Sequence, residues 1–224
     1  MLIAIDTATR FASLALYEPD RVLAELTWQT KDNHTAEMMP SLVDMMDRQG
    51  LDASHLSGVA VAIGPGSFTG LRIGLAVAKG LVMSLDLPLI GVPTLEILPY
   101  AVGDIDLPTW SVIQAGRGRL CWAKYLYHRD TWALQPSLEV GTISEFIERL
   151  DEPAVVCGEL SQSERDVIST RFGKDLILVP PTFALRRAAF LADLAWRRLQ
   201  RGERDDVVTL SPIYLHRPEG TEPA

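Results

Sequence analysis

Short alternating and fully apolar runs dominate the first hundred residues. Residues 2–6, 12–17 and 22–27 read as three strands, and Glu18-Pro19-Asp20 supplies a turn. From Met38 to Asp47 the apolar positions recur at helical spacing. A strand at 59–63, a helix at 71–85 and a strand at 89–92 follow. The second half opens the same way: strands at 110–114, 120–127 and 132–140, a helix at 143–150, then strands at 154–156 and 176–179. An amphipathic run over 183–199 predicts a closing helix, with Gly202 as its stop signal. Two successive βββαβ-like units imply a duplicated α/β fold. We divide it at 1–103 and 104–224, the closing helix packing back on the first lobe.

Between the strand at 59–63 and the following helix lies Gly64-Pro65-Gly66-Ser67-Phe68-Thr69-Gly70-Leu71-Arg72-Ile73-Gly74. A glycine-rich turn before a helix gathers free backbone N–H groups at a positive dipole end, the usual chemistry of an anion site. Neither standard nucleotide pattern fits. The P-loop needs Lys-Ser/Thr after its last glycine, and Leu71-Arg72 stand there. Lys79 lies roughly 13 Å farther along a helix at ~1.5 Å per residue. The dinucleotide fingerprint allows two residues before its third glycine, and three separate Gly66 from Gly70.

This eleven-residue segment closely resembles the hallmark of the bacterial TsaB (YeaZ) family, noncatalytic paralogues of TsaD in tRNA threonylcarbamoyladenosine biosynthesis. Leu2-Ile-Ala-Ile-Asp-Thr-Ala-Thr9, His34-Thr-Ala-Glu-Met-Met-Pro40, Gly91-Val-Pro-Thr-Leu-Glu96 and Ser211-Pro-Ile-Tyr-Leu-His-Arg217 resemble further family segments in order. The likeness is dense over 1–100 and sparse beyond. It implies the two-lobed RNase H-like architecture of actin, sugar kinases and heat-shock ATPases. It also implies a scaffold and activator subunit that joins TsaD and the ATPase TsaE. That assembly transfers threonylcarbamoyl to the tRNA adenosine beside the anticodon. Two departures stand out: Gln114-Ala115-Gly116-Arg117 where the family commonly has Asp-Ala-Arg, and Gly158-Glu159-Leu160 for Gly-Asp-Gly. Both weaken the case for nucleotide binding by the second lobe.

Composition narrows the chemistry. The 224 residues are 47% hydrophobic, enough for a full core, and carry a net charge of −8, which argues against a large RNA footprint on this chain alone. Arg117, Arg119, Lys124, Arg186 and Arg187 are the expected members of any local basic patch. Cys121 and Cys157 form no CxxC pair and read as structural thiols of a reduced compartment. No uninterrupted apolar run reaches the ~18 residues of a spanning helix, so a cytoplasmic protein without a membrane partner is expected. His34, His55, His128 and His216 are scattered, so no metal site is expected. TsaD holds its metal with H-x-x-x-H, and the matching Pro93-Thr94-Leu95-Glu96-Ile97 lacks both histidines. No serine lies in a G-x-S-x-G elbow, and no catalytic residue is assigned.

Asp6, at the end of the first strand, is placed either to hold a nucleotide-bound metal or to close a local turn. With Gly64, Gly66 and Ser67 it forms the candidate cofactor set at the lobe junction, although the chain requires no cofactor. Ser67 has a helix-capping role open to it as well. The candidate partner surface comprises Met38, Met39, Leu42, Met45 and Met46 on the first helix. On the second it comprises Gly70, Arg72, Ile73, Gly74 and Ala78, where Gly70, Gly74 and Ala78 form a flat ridge. The competing assignment for these residues is the protein's own core. In the family these helices pair with their TsaD counterparts. An independent nucleotide-dependent kinase-like enzyme and a regulatory homodimer are the rival functions.

Overall fold

The computed structural model describes residues 1–30, 34–128, 131–150 and 153–215. Its first half contains β1 (Leu2–Asp6), β2 (Phe11–Glu18), β3 (Arg21–Gln29), α1 (His34–Arg48), β4 (Gly58–Gly64), α2 (Phe68–Leu85) and β5 (Leu89–Pro93). The sheet order is β3-β2-β1-β4-β5, with the first three strands antiparallel and the last two added in parallel. The second half repeats this plan with β6 (Thr109–Gly116), β7 (Arg119–His128), β8 (Thr131–Gly141), α3 (Ile143–Arg149), β9 (Ala154–Gly158), α4 (Gln162–Phe172), β10 (Leu176–Leu178) and α5 (Ala188–Gln200). Read from β8, its sheet runs β8-β7-β6-β9-β10, strand for strand the first order. The parallel and antiparallel pairings repeat too. The duplication is a property of the topology as well as of the sequence pattern.

Alternation along β1 divides the first core into two faces. Ile3 and Ile5 pack with Met38, Leu42 and Leu75 under α1 and α2. Leu2 and Ala4 face α5, whose Ala188, Ala192 and Ala195 meet Ala15, Ala60 and Ala62. Alanine on both sides lets this helix lie close to the sheet. The closing helix of the chain therefore completes the first lobe. In the second lobe Trp110, Val112 and Trp122 pack with Phe146 and Ile168 of α3 and α4. Ile113, Cys121 and Tyr125 turn to the other face, against Leu95 and Leu98.

Three elements differ from the periodicity reading. Helix α4 is unpredicted, because only Ile168 of its residues is buried and no apolar stripe announces it. Its signal was a capping box, with Ser161 and Glu164 accepting from each other's backbone. The closing helix begins at Ala188, five residues later than expected. A short 3-10 turn, Pro181–Phe183, comes first, and extended backbone at Arg187 follows. Finally, α2 has a mean hydropathy of 1.4 over 18 residues, long and apolar enough by composition to cross a bilayer. Arg72 and Lys79 hide it from a search for unbroken runs. Its buried side rests on the first sheet.

Candidate functional site

The two lobes face each other across a cleft of about 1400 Å³. Its first wall is the β1–β2 turn (Thr9, Arg10) and the glycine loop (Gly66, Ser67, Phe68). The β6–β7 hairpin (Gly116, Arg117, Gly118, Arg119), the segment after β9 and the start of α4 form the other. Both hairpins occupy equivalent places in the repeated plan. Positive φ at Gly116, Arg117 and Gly118 turns the second one tightly.

At the base of this cleft the chain has placed its own cation. Arg186 is 1% exposed and reaches across both lobes. Its Nε donates to Asp6 Oδ2 at 2.9 Å, Nη1 donates to Glu159 Oε1, and Nη2 donates to Thr9 Oγ1 at 2.8 Å and to the Phe11 carbonyl at 3.3 Å. Thr9 Oγ1 also donates to Glu159 Oε1 at 2.6 Å. Burial alone would lower the guanidinium pKa, but the Asp6 and Glu159 charges outweigh it and hold the pKa above its ordinary value. The cation is permanent.

Both oxygens of Asp6 are engaged within the protein, and the arginine beside them offsets the charge that would attract a metal. Asp6 Oδ1 accepts the Ala8 N–H at 2.8 Å and Oδ2 is held by Arg186. The turn expected at Asp6 is present, and the residues here do not fit a metal–nucleotide complex. Gly66 and Ser67 line the cleft, whereas Gly64 and Asp6 do not. Gly66 lies against the Ala8 carbonyl, which accepts the Ser67 N–H at 2.6 Å. Ser67 Oγ accepts the Gly70 N–H at 3.2 Å and caps α2. Gly64 packs under Ile213, whose N–H donates to the Ile63 carbonyl at 2.7 Å. Among the described residues no group of three His, Cys, Asp or Glu could hold a metal ion.

The expected basic patch is redistributed. Arg186 is the buried plug, Arg187 pairs with Glu25 at 2.5 Å, and the Lys124 ammonium lies 5.7 Å from the centre of the Trp110 ring. Arg117 and Arg119 do reach the cleft, joined by Arg10 and Arg165, which sequence reasoning missed. No local pattern links positions so far apart.

The candidate partner face needs a sharper correction. Met38, Leu42, Met45 and Met46 are buried in the protein's own core, as are Gly70, Gly74 and Ala78. A Cβ at Gly70 would collide with the Thr7 carbonyl, and one at Gly74 with Thr7 Oγ1. These glycines exist so that α2 can lie on β1, and Thr7 Oγ1 donates to the Gly70 carbonyl at 2.7 Å. The outward side of the helix pair carries Met39, Val43 (51% exposed) and Met83 (74% exposed), beside Ala76, Gly80 and Ser84. Arg72 is exposed and Ile73 half-buried. The Arg72 guanidinium lies 3.8 Å above the Phe68 ring centre, and its Nε donates to Tyr214 Oη at 3.0 Å. The Tyr214 ring lies 5.0 Å from that of Phe68. His216 and Arg217 of the closing motif lie outside the described residues.

The family model described as TsaD, tRNA N6-adenosine threonylcarbamoyltransferase, matches residues 21–206. The chain belongs to this family. Within it, the chain groups with the TsaB (YeaZ) proteins. The tRNA threonylcarbamoyladenosine biosynthesis protein TsaB of Escherichia coli is 29% identical over 96% of this chain and 94% of its own length. The protein of the same name from Bacillus subtilis is 29% identical over 97% and 95%. YeaZ from Pseudomonas aeruginosa superposes with a TM-score of 0.78 at 26% identity, covering 96% of this chain and 99% of its own. At the level of fold alone, the ethanolamine utilization protein EutJ from Carboxydothermus hydrogenoformans matches with a TM-score of 0.52 at 15% identity.

Both departures from the TsaB pattern now have structural roles. Gln114 Nε2 donates to the Glu159 carbonyl at 3.2 Å and to Glu164 Oε2 at 3.0 Å, joining β6 to the start of α4. Glu159 is one of the two carboxylates that hold Arg186. In the Pro93–Ile97 stretch, residues Thr94–Glu96 form a 3-10 turn with Thr94 and Leu95 buried. Thr94 Oγ1 accepts the Gly64 N–H at 3.0 Å.

Proposed function

We propose that this chain is a noncatalytic scaffold and activator subunit of the tRNA threonylcarbamoyladenosine-synthesising assembly, binding TsaD and working with TsaE. The observation that carries the reading is the fate of Asp6. In a two-lobed kinase-like enzyme, the first-strand carboxylate has to be available to a metal. Here it is spent on an internal arginine, and the rival kinase-like reading loses its key ligand. The TsaB naming of the curated relatives supports the pathway.

The docking surface in this reading is the outward side of α1 and α2. Ala76 and Gly80 give a low ridge for close helix approach, while Met39, Val43 and Met83 flank it with adaptable apolar contacts. The same surface serves a homodimer when TsaD is absent, so the two partners compete. Reconstitution is the test. The purified chain should transfer no threonylcarbamoyl to tRNA alone and should restore transfer when added to TsaD and TsaE. Turnover by the isolated chain, free of TsaD, would overturn the reading.

A further inference from the structure

We infer that the arginine-rimmed cleft between the lobes binds the phosphate backbone of a single-stranded RNA segment. The inference rests on the scaffold reading, to which it adds direct contact with the tRNA. Four arginines, Arg10, Arg117, Arg119 and Arg165, reach this one cleft in a chain whose net charge is −8. Its two carboxylates are already engaged. Glu159 is held by Arg186, and Glu164 accepts the Ser161 N–H at 2.7 Å at the start of α4. Arg10 and Arg117 are exposed at the tips of opposing hairpins, so their charges stand on both sides of the opening. The four arginines outnumber the two carboxylates in the lining, and a cleft with an excess of positive charge focuses a field on an anion within it.

Size and chemistry favour a polyanion over a nucleotide. The cleft exceeds the ~300–1,000 Å³ usual for small-molecule pockets. A triphosphate would normally arrive with magnesium, and Asp6 lies outside the cleft lining with its charge paired to Arg186. The backbone of RNA requires only cations. Phe68 and Tyr214 line the same cleft with their rings paired; Arg72 lies over one Phe68 face, and the rest of that side chain, 39% exposed, is open to an unpaired base. A single-stranded loop meets both requirements, whereas a duplex hides its base faces.

The test uses the chain assembled with TsaD and a fluorescent anticodon stem–loop RNA, with anisotropy followed across salt concentrations. Arg10→Glu combined with Arg117→Asn changes two exposed tips, and asparagine suits the positive φ at 117. RNA affinity should fall by about tenfold at low salt. The slope of log K against log salt should shrink by about 1.4, two contacts at about 0.7 each. Arg204→Glu, an equal charge change to Arg10→Glu on an exposed residue outside the cleft, should leave both unchanged. TsaD capture should be the same for all variants. If capture is normal and every variant binds RNA alike, the cleft inference fails and the scaffold reading stands. If the wild-type chain fails to capture TsaD, the scaffold reading fails. The isolated chain, titrated with the same RNA, then decides the cleft. Equal competition by millimolar inorganic phosphate would mark a small-anion site and overturn the RNA assignment.

Discussion

Burial pushes the thiols of Cys121 and Cys157 up to about 12. The folded protein thus keeps both protons at a pH where an ordinary thiol, near 8.5, has begun to ionise. The sign follows: neither thiol affects stability below the unfolded pKa, and above it the unfolded chain loses protons first, so stability falls as pH rises. At pH 8 the native thiolate population should be about a thousandfold below that of a free thiol. A thiol-reactive dye should therefore label the denatured protein quickly and the native protein hardly at all. Fast native labelling would mean that the second-lobe core opens. The structural reading of these cysteines was available from their isolation in the sequence, as was the capping role of Ser67. The engagement of Asp6 was not, because its partner lies 180 residues away.

Helix α2 has two small-residue ridges. Gly70, Gly74 and Ala78 face inward, and Ala76 and Gly80 face outward. Spacing by four tells which residues share a face, but nothing in the periodicity says which face meets the sheet when a helix is apolar all round. The contact with Thr7 decides it. Gly74→Leu should therefore unfold the monomer or lower its stability by several kcal/mol, as overpacking against a strand does. At Gly80 an added Cβ meets nothing within 4 Å. Gly80→Leu should leave the monomer as stable or firmer by up to about 1 kcal/mol, since leucine is the better helix former. It should nevertheless hold a partner helix away. Thermal melts combined with sedimentation, with and without TsaD, separate the two results. A Gly80→Leu protein that binds TsaD normally would remove α2 from the interface. The miss at α4 has a similar origin, because a polar helix held by its caps leaves a capping box as its only mark.

The duplicated plan of the whole molecule was legible in the order of runs, since each lobe repeats the same rhythm of strand and helix. What joins the lobes was not, because that depends on contacts between distant segments. Arg186 ties Asp6 of the first sheet to Glu159 of the second. Arg186→Met would strand the buried Asp6 carboxylate and the partly buried one of Glu159, and breaking such a cluster costs about 3–5 kcal/mol. Urea titration should show that loss, and Arg186→Lys should recover part of it by restoring charge without the planar fork. A Met variant as stable as the wild type would mean that the lobes are held elsewhere.

A clamp closed by a diffusible ion opens when that ion runs short. In this protein the closing cation is bonded to the backbone, and its proton does not leave at any physiological pH. The tie between the two lobes is thus supplied by the chain itself and needs no diffusible ion. On the scaffold reading proposed above, a dependence on cellular energy would enter through another subunit, while this one carries its own clamp.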